Sequence, residues 1–233
     1  MKTAVYFGSH HIYDDMIPAS KSLLKNSDVD KIYFLIEDDV YPHEIPSCIE
    51  TINIRDVIPS IYNPNNPNFG AEWTYIGLAR TALTKIFPDL DTILTIDCDT
   101  IVVQDVSDLW DFDITDYYFA AAKEPHLSRA SRCLYVNAGV MLLNLKKMRE
   151  DKVDDEYIRA LNEKRYYFVC QDVMNALSQG HILEIPSDYN SCDFTLPTDN
   201  RKIIHYAGNR RWRDYDIVKY YREMPWSQTG NRF

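Results

Sequence analysis

The apolar run from Thr92 to Ile96 stops abruptly at Asp97-Cys98-Asp99. In an extended backbone, side chains two residues apart project to the same side, so both carboxylates can face one point. A run of this length closed by acids reads as a buried strand of an α/β sheet. The carboxyl end of such a strand is where open sheets bind ligands. Two hard oxygen ligands suit a divalent cation, and a cation with spare coordination positions suits a diphosphate. The stretch therefore points to a metal-dependent enzyme that handles a nucleotide diphosphate. An isolated Asp-x-Asp is also common as a turn or an exposed strand end, so its meaning depends on the rest of the chain.

The surrounding pattern alternates strands with helices. Thr3 to Phe7 reads as a first strand, with Gly8-Ser9 as the turn into a helix over Asp14 to Lys25. Lys31 to Ile36, closed by Glu37-Asp38-Asp39, and Thr51 to Ile54 read as strands. Pro59 to Gly70 is loop by composition, and Trp73 to Phe87 reads as a long helix ended by Pro88. After the acids, Val106 to Trp110 reads as a short helical turn, and Tyr117 to Ala122 and Gly139 to Asn144 as strands. Helices are expected over Asp154 to Lys164, Asp172 to Ser178 and Tyr215 to Glu223. Such alternation predicts βαβ units and a mostly parallel sheet flanked by helices. With no internal repeat and no linker, the expectation is one domain over residues 1–233, with a nucleotide-binding part over about 1–105 and a sugar and acceptor part over about 106–233.

Composition narrows the function classes. Apolar residues make up 45% of the 233, so the chain can bury a substantial core. A net charge of −10 and a pI near 5.0 argue against nucleic acid as the main partner. No apolar run is long enough to span a bilayer, and the N-terminus shows no charged-then-apolar signal. Five scattered cysteines without a C-x-x-C pair suit free thiols in a reducing compartment, so the expected location is cytoplasmic. The 17 tyrosines, 4 tryptophans and 9 phenylalanines serve a core or a sugar-stacking surface, and the count does not separate the two.

A second informative segment is Lys202-Ile203-Ile204-His205-Tyr206-Ala207-Gly208-Asn209-Arg210-Arg211-Trp212. A short apolar stretch delivers His205, Gly208 allows close backbone approach, and two arginines follow. Guanidinium groups bind phosphate oxygens in a bidentate manner that lysine cannot match. An imidazole beside two carboxylates tilts metal preference from magnesium toward manganese. Read alone, the segment is better taken as a strand-end histidine followed by a solvated arginine pair.

Taken together, the strand ending in Asp-x-Asp and the late His-Tyr-x-Gly resemble the retaining glycosyltransferases of family eight, which include glycogenin and bacterial galactosyltransferases of lipopolysaccharide synthesis. Tyr135-Val136-Asn137-Ala138-Gly139-Val140-Met141-Leu142-Leu143-Asn144-Leu145 is similar to that family's Phe-Asn-Ala-Gly-Val block, and Gln171-Asp172-Val173-Met174-Asn175 to its Asp-Gln-Asp segment. Arg80 falls where bacterial members carry a donor-contacting arginine. The resemblance implies a Rossmann-like GT-A domain that moves a hexose from a nucleotide diphosphate sugar, expected to be a UDP-hexose, to a hydroxyl of a glycan or other acceptor. It implies Mn2+, with Mg2+ as the alternative, on Asp97, Asp99 and His205. The donor would be bound by Gly8, His10, Tyr13, Arg80, Asp97, Cys98, Asp99, Asn137, Ala138, Gly139, Gly208, Arg210 and Arg211. Gln171 and Asp172 would stand closest to the reacting carbon.

Three departures qualify the match. His10-His11-Ile12-Tyr13 replaces the family's acid- or amide-bearing first turn, leaving His10 to read the base and Tyr13 to stack on it. Cys170 stands where the family usually has an aspartate. The turn after Gly208 is one residue shorter, so either Arg210 or Arg211 matches the family's phosphate-binding lysine. The competing readings are a catalytically inactive nucleotide-sugar or carbohydrate-binding protein of the same fold and, with only Gly8 for a phosphate loop, a nucleotidyltransferase.

Overall fold

The computed structural model describes residues 1–70 and 76–230. Its strands are β1 (Thr3–Gly8), β2 (Lys31–Ile36), β3 (Ile49–Asn53), β4 (Thr92–Ile96), β5 (Thr100–Val102), β6 (Phe119–Lys123), β7 (Val136–Asn144), β8 (Ile182–Ile185) and β9 (Ile203–His205). Seven of them form one mixed sheet in the order β3-β2-β1-β4-β7-β6-β8, while β5 and β9 form a separate pair. β3, β2, β1 and β4 are mutually parallel; β7 is antiparallel to both β4 and β6, and β8 is parallel to β6. The fold is therefore an α/β Rossmann-like sheet that is mostly parallel, as the alternation of strands and helices predicts.

Period-two alternation divides the core. Val5, Phe7, Leu35, Ile93, Met141 and Leu143 face one side with Leu78, Leu83, Phe87, Tyr157 and Val173. Their neighbours Ala4, Tyr6, Phe34, Ile36, Leu94, Ile96, Val140 and Leu142 face the other with Met16, Leu23 and Leu109. Strands covered on both faces read as continuous apolar runs, which is why β1 and β7 are buried at every position. The chain steps from β1 outward to β2 and β3, then returns to lay β4 on the other side of β1. That reversal is a topological switch point, and it opens a crevice beyond the carboxyl ends of β1 and β4.

The helices are α1 (Tyr13–Asn26), α2 (Val57–Ile61), α3 (Ile76–Ala79), α4 (Leu83–Ile86), α5 (Pro125–Ser131), α6 (Leu145–Asp151), α7 (Val153–Glu163), α8 (Cys170–Leu177) and α9 (Asp216–Glu223). The single helix expected over Trp73 to Phe87 is not continuous. Residues 73–75 of that span lie outside the described residues, and a tight turn over Arg80–Ala82 separates α3 from α4. The tightening falls where Arg80 turns inward to meet Asp97. The expected loop from Pro59 overlaps the short helix α2, which carries its proline in the first turn, where no intrahelical N–H is needed. Helices α5 and α6 and strand β8 were not anticipated. α6 follows β7 with no intervening breaker because Asn144 ends one element and caps the next.

Asn144 accepts a hydrogen bond from the Lys147 N–H (3.0 Å) and donates to the Ile114 carbonyl (2.8 Å). Asn144→Ala loses both in a buried setting, and we expect a cost of about 1–3 kcal/mol. Urea unfolding checks this: an unchanged midpoint would remove the capping role.

Candidate functional site

β4 ends at Ile96, yet the Asp97 N–H still donates to the Gly139 carbonyl at 2.8 Å. The chain then turns through Cys98 and Asp99, with the Thr100 hydroxyl closing the turn onto the Asp97 carbonyl (2.8 Å). The two acids thus sit in a tight turn beyond the strand and not on extended backbone, but they converge all the same. β5 leaves this turn and pairs antiparallel with β9, setting Thr100 opposite His205. The Tyr206 N–H donates to the Asp99 carbonyl (2.9 Å) and extends the register. His205 Nε2 consequently lies 3.3 Å from Asp99 Oδ1 and 3.8 Å from Asp97 Oδ2. One ligand atom from each of the three residues falls within 4.8 Å of the others.

Charges in this group lean on one another. Burial works against a charged His205, but Asp99, with smaller help from Cys192 and Asp97, outweighs it and lifts its pKa well above the ordinary value. Burial likewise opposes an ionised Asp99, and His205 reverses that, with Arg213 adding a smaller pull downward. Arg80 is 6% exposed and donates to Asp97 Oδ1 at 2.5 Å. Desolvation disfavours the guanidinium charge there, yet Asp97 more than compensates. Because Arg80 occupies Oδ1, Oδ2 of Asp97 remains on the His205 side. Two carboxylates and a buried imidazole whose Nε2 faces them are a donor set that fits a divalent ion of the manganese type.

The other expected residues divide into those whose side chains line the crevice and those that build it. A Cβ at Gly139 would overlap His205 Cε1 and Nδ1, so glycine is needed there to admit the imidazole. Gly8 plays a similar part, since a Cβ would strike Met16 and Tyr13 of α1. Cys98 was expected to reach the donor, but its thiol turns into the core and meets the Phe7 carbonyl at 3.1 Å, leaving only its backbone at the turn. Tyr13, expected to stack on a base, is 4% exposed; its hydroxyl donates to Asp38 (2.9 Å) and accepts from the Glu37 N–H (3.0 Å). It is a strut joining α1 to the end of β2. Burial, the largest influence on it, pushes its phenol up to about 12.

His10 is exposed, packs against His11 with ring centres 3.7 Å apart and planes tilted by 45°, and lies 3.5 Å from Glu37. Arg80 stands behind Asp97. Asn137 is buried in a hydrogen-bond network, and the Ala138 N–H donates to Gln171 Oε1 (2.8 Å). Gln171 also donates to the Tyr135 hydroxyl (3.2 Å), which in turn donates to Asp172 Oδ1 (2.6 Å). Asp172 Oδ2 accepts from the Phe168 N–H (2.9 Å), so both of its oxygens are engaged. Gly208 takes the left-handed conformation at φ +73°, which turns the chain so that Arg210 and Arg211 are exposed; Arg211 pairs with Asp214 at 3.4 Å.

Several residues at the site were not anticipated. Glu37 and Asp38 end β2 beside β1, and the strand-end rule that singled out Asp97 applies to them equally. Glu124, Tyr135 and Asn190 join the buried network around Asn137 and Gln171. Arg213 clasps Asp15 of α1 with contacts of 2.5 and 2.8 Å. No local sequence signal marks Asn190 or Glu124, because their partners are distant in the chain.

The profile of glycosyl transferase family 8 matches residues 19–215. A putative glycosyltransferase of Haemophilus influenzae is 28% identical over 219 residues, covering 85% of this chain and 65% of the relative. A lipopolysaccharide 1,2-glucosyltransferase of Escherichia coli K12 is 30% identical over 177 residues, covering 61% of this chain and 52% of the relative. The chain thus spans between about half and two thirds of the length of these relatives. In fold it is similar to the crystal structure of galactosyltransferase LgtC in complex with donor and acceptor sugar analogues, with a TM-score of 0.70 at 18% identity over 97% of this chain and 99% of that one.

Two expectations arise from this geometry. Gly139→Ala should push the imidazole off the acids and weaken manganese binding at least tenfold while leaving the far-ultraviolet circular dichroism unchanged; wild-type affinity would show that the ring is not confined there. The second concerns pH. His205 contributes stability that is fully present below its unfolded pKa of about 6.5 and fades as pH rises through its raised folded value. Asp99 contributes above about 3.8 and loses it as pH falls through its lowered value. Manganese needs the Nε2 lone pair, so its affinity follows the opposite course. As pH rises above about 6.5 toward the raised folded value of His205, the pair's contribution to metal-free stability should fall while any metal-induced gain in Tm grows. His205→Gln should flatten both trends in calorimetry.

Proposed function

This chain belongs to glycosyl transferase family 8, and on that premise we propose that it transfers a hexose from a UDP-sugar to an acceptor hydroxyl with retention of configuration. The observation that carries this reading is the convergence of Asp97, Asp99 and His205 at the crevice between β1 and β4. These three residues would hold Mn2+, which when bound supplies a Lewis acid beside the departing diphosphate.

The chain's own groups account for the remaining tasks. Arg80 holds Asp97 in place from behind. Arg210 and Arg211, presented beyond Gly208, meet the diphosphate from the solvent side. The base lies at the turn after Gly8, within reach of His10 and Glu37. Gln171 and Asp172 stand beside Ala138, next to the donor sugar. Retention through a covalent intermediate would need a carboxylate free to attack. Asp172 is already engaged through both oxygens, which favours a front-face displacement. In that step the acceptor oxygen bonds to the anomeric carbon as the sugar–phosphate bond breaks on the same face. The acceptor proton passes to the leaving phosphate. Among the described residues no helix is long and apolar enough to cross a membrane.

Manganese-dependent hydrolysis and transfer across a panel of UDP-, GDP- and ADP-sugars test the reading. We expect turnover with a UDP-hexose and none with Asp99→Asn, whose fold should persist. Arg210→Ala or Arg211→Ala should lower kcat/KM by about 10- to 150-fold, since a charge-assisted contact is worth about 1.5–3 kcal/mol. Tight UDP-sugar binding without turnover would instead favour a nucleotide-sugar-binding protein, and stronger binding of GDP than UDP would overturn the uridine assignment.

A further inference from the structure

Three hydrogen bonds lead from a backbone amide in β7 to the imidazole of His205, and together they place a hydrogen on its Nδ1. The Gly139 N–H can only donate, and it lies 2.9 Å from Asn137 Oδ1. That end of the Asn137 amide is therefore the oxygen. The other end agrees, since Asn137 Nδ2 donates to Glu124 Oε1 at 2.6 Å. The Asn190 atom 2.8 Å from Asn137 Oδ1 must then be the amide nitrogen. This leaves Asn190 Oδ1 at 2.8 Å from His205 Nδ1. An amide oxygen only accepts, so Nδ1 must carry a hydrogen. The assignment of both amides follows from a backbone donor and not from a choice between equivalent orientations.

Solvent has little chance to intervene. Glu124 is 5% exposed, Asn137 6%, Asn190 0% and His205 5%. Asn190 is also held at the correct height along β9. The Ser191 N–H donates to the Ile203 carbonyl (2.9 Å), the His205 N–H donates to the Ser191 carbonyl (3.0 Å), and the Thr195 hydroxyl donates to the Asn190 carbonyl (2.8 Å). The segment that carries Asn190 is thus laced to the strand that carries His205.

We infer that Asn190, backed by Asn137 and Glu124, is a positioning residue that keeps His205 in its Nδ1–H form and reserves Nε2 for the metal. A ligating histidine gains orientation and basicity when its other nitrogen donates to a fixed acceptor, and loss of such a partner typically costs 10- to 100-fold in metal affinity. The inference rests on the metal-centre reading above, but its first test does not need a metal.

The test combines a spectroscopic readout with direct metal binding. In 15N-labelled, metal-free wild type at alkaline pH, with the His205 resonances identified by their loss in His205→Gln, the neutral ring should carry its one hydrogen on Nδ1. A hydrogen on Nε2 would overturn the inference regardless of any variant's behaviour. Asn190→Ala should lower Mn2+ affinity, measured by water-proton relaxation, 10- to 100-fold. Asn190→Asp keeps an acceptor for Nδ1–H but loses the donor to Asn137 Oδ1, so it should retain the Nδ1 hydrogen and bind Mn2+ more tightly than the alanine variant while falling short of wild type. Wild-type affinity in a folded Asn190→Ala would overturn the inference. If Asn190→Ala fails to fold, a Nδ1–H wild type with Asn190→Asp rescue sustains it and a Nε2–H ring ends it. If wild type binds no Mn2+ at all, the metal reading fails while the tautomer result still decides the network.

Discussion

The imidazole of His205 lies directly on the backbone of Gly139, and the rest of the site is arranged around that contact. Three properties of one glycine meet there. Its carbonyl accepts the Asp97 N–H and so ends the β4–β7 ladder at the first acid. Its N–H fixes the Asn137 amide. Its missing Cβ leaves the space that the ring occupies. β9 has only three residues and could not hold a side chain in place alone. It is held by β5 on one side and by the Asn190–Ser191 segment on the other, and the glycine is the surface against which both press His205.

The charges follow the same economy. Asp97 and Asp99 bring two negative charges to a crevice, and Arg80 and a protonated His205 balance them. A bound divalent ion would displace the His205 proton and take over that balance. Cys170 alters the arithmetic at the back of the site. It lies 3.7 Å from Arg80 Nη1, and burial pushes its thiol above the ordinary range. An aspartate there would share the guanidinium, whereas a neutral thiol leaves Asp97 as the only carboxylate paired with Arg80 among the described residues. Removing Asp97 would leave the buried Arg80 guanidinium without a carboxylate partner, so Arg80 depends on Asp97 more strictly than the motif alone suggests.

Much of this was legible in the sequence for identifiable reasons. Apolar runs closed by acids or glycine gave β1, β2 and β4 because strands covered on both faces have no polar positions to interrupt them. Asp97, Asp99 and His205 stood out because metal ligation restricts residue type. What stayed hidden depends on contacts between distant segments. Asn190 is one asparagine in a polar stretch until β9 folds beside it, and Glu124 is unremarkable until Asn137 arrives. Tyr13 reads as a stacking residue because the pattern gives its position, while its burial depends on Asp38 and Tyr41. The helix through Arg80 looks continuous in the sequence since nothing local reports the pull of Asp97. α6 was obscured because Asn144 serves as both strand end and cap.

Burial separates two kinds of residue at the crevice. Asn137, Gly139, Asn190 and His205 are shielded and bonded in one chain, and Arg80 is shielded and paired with Asp97, so a change in any of them should disturb stability and geometry together. His10, Arg210 and Arg211 are exposed and follow turns, where substitutions typically cost within about 0.5 kcal/mol of stability. On the proposed reading, their contribution is to affinity and selectivity for the donor. The departures from the family pattern fall mostly in this second group, at the His10-His11-Ile12 turn and the shortened turn after Gly208. Cys170 is the exception, because it lies in the buried frame and acts on Arg80. On the proposed reading, the frame that holds the acids and the imidazole can stay fixed while the exposed turns set which base and which phosphate geometry are accepted.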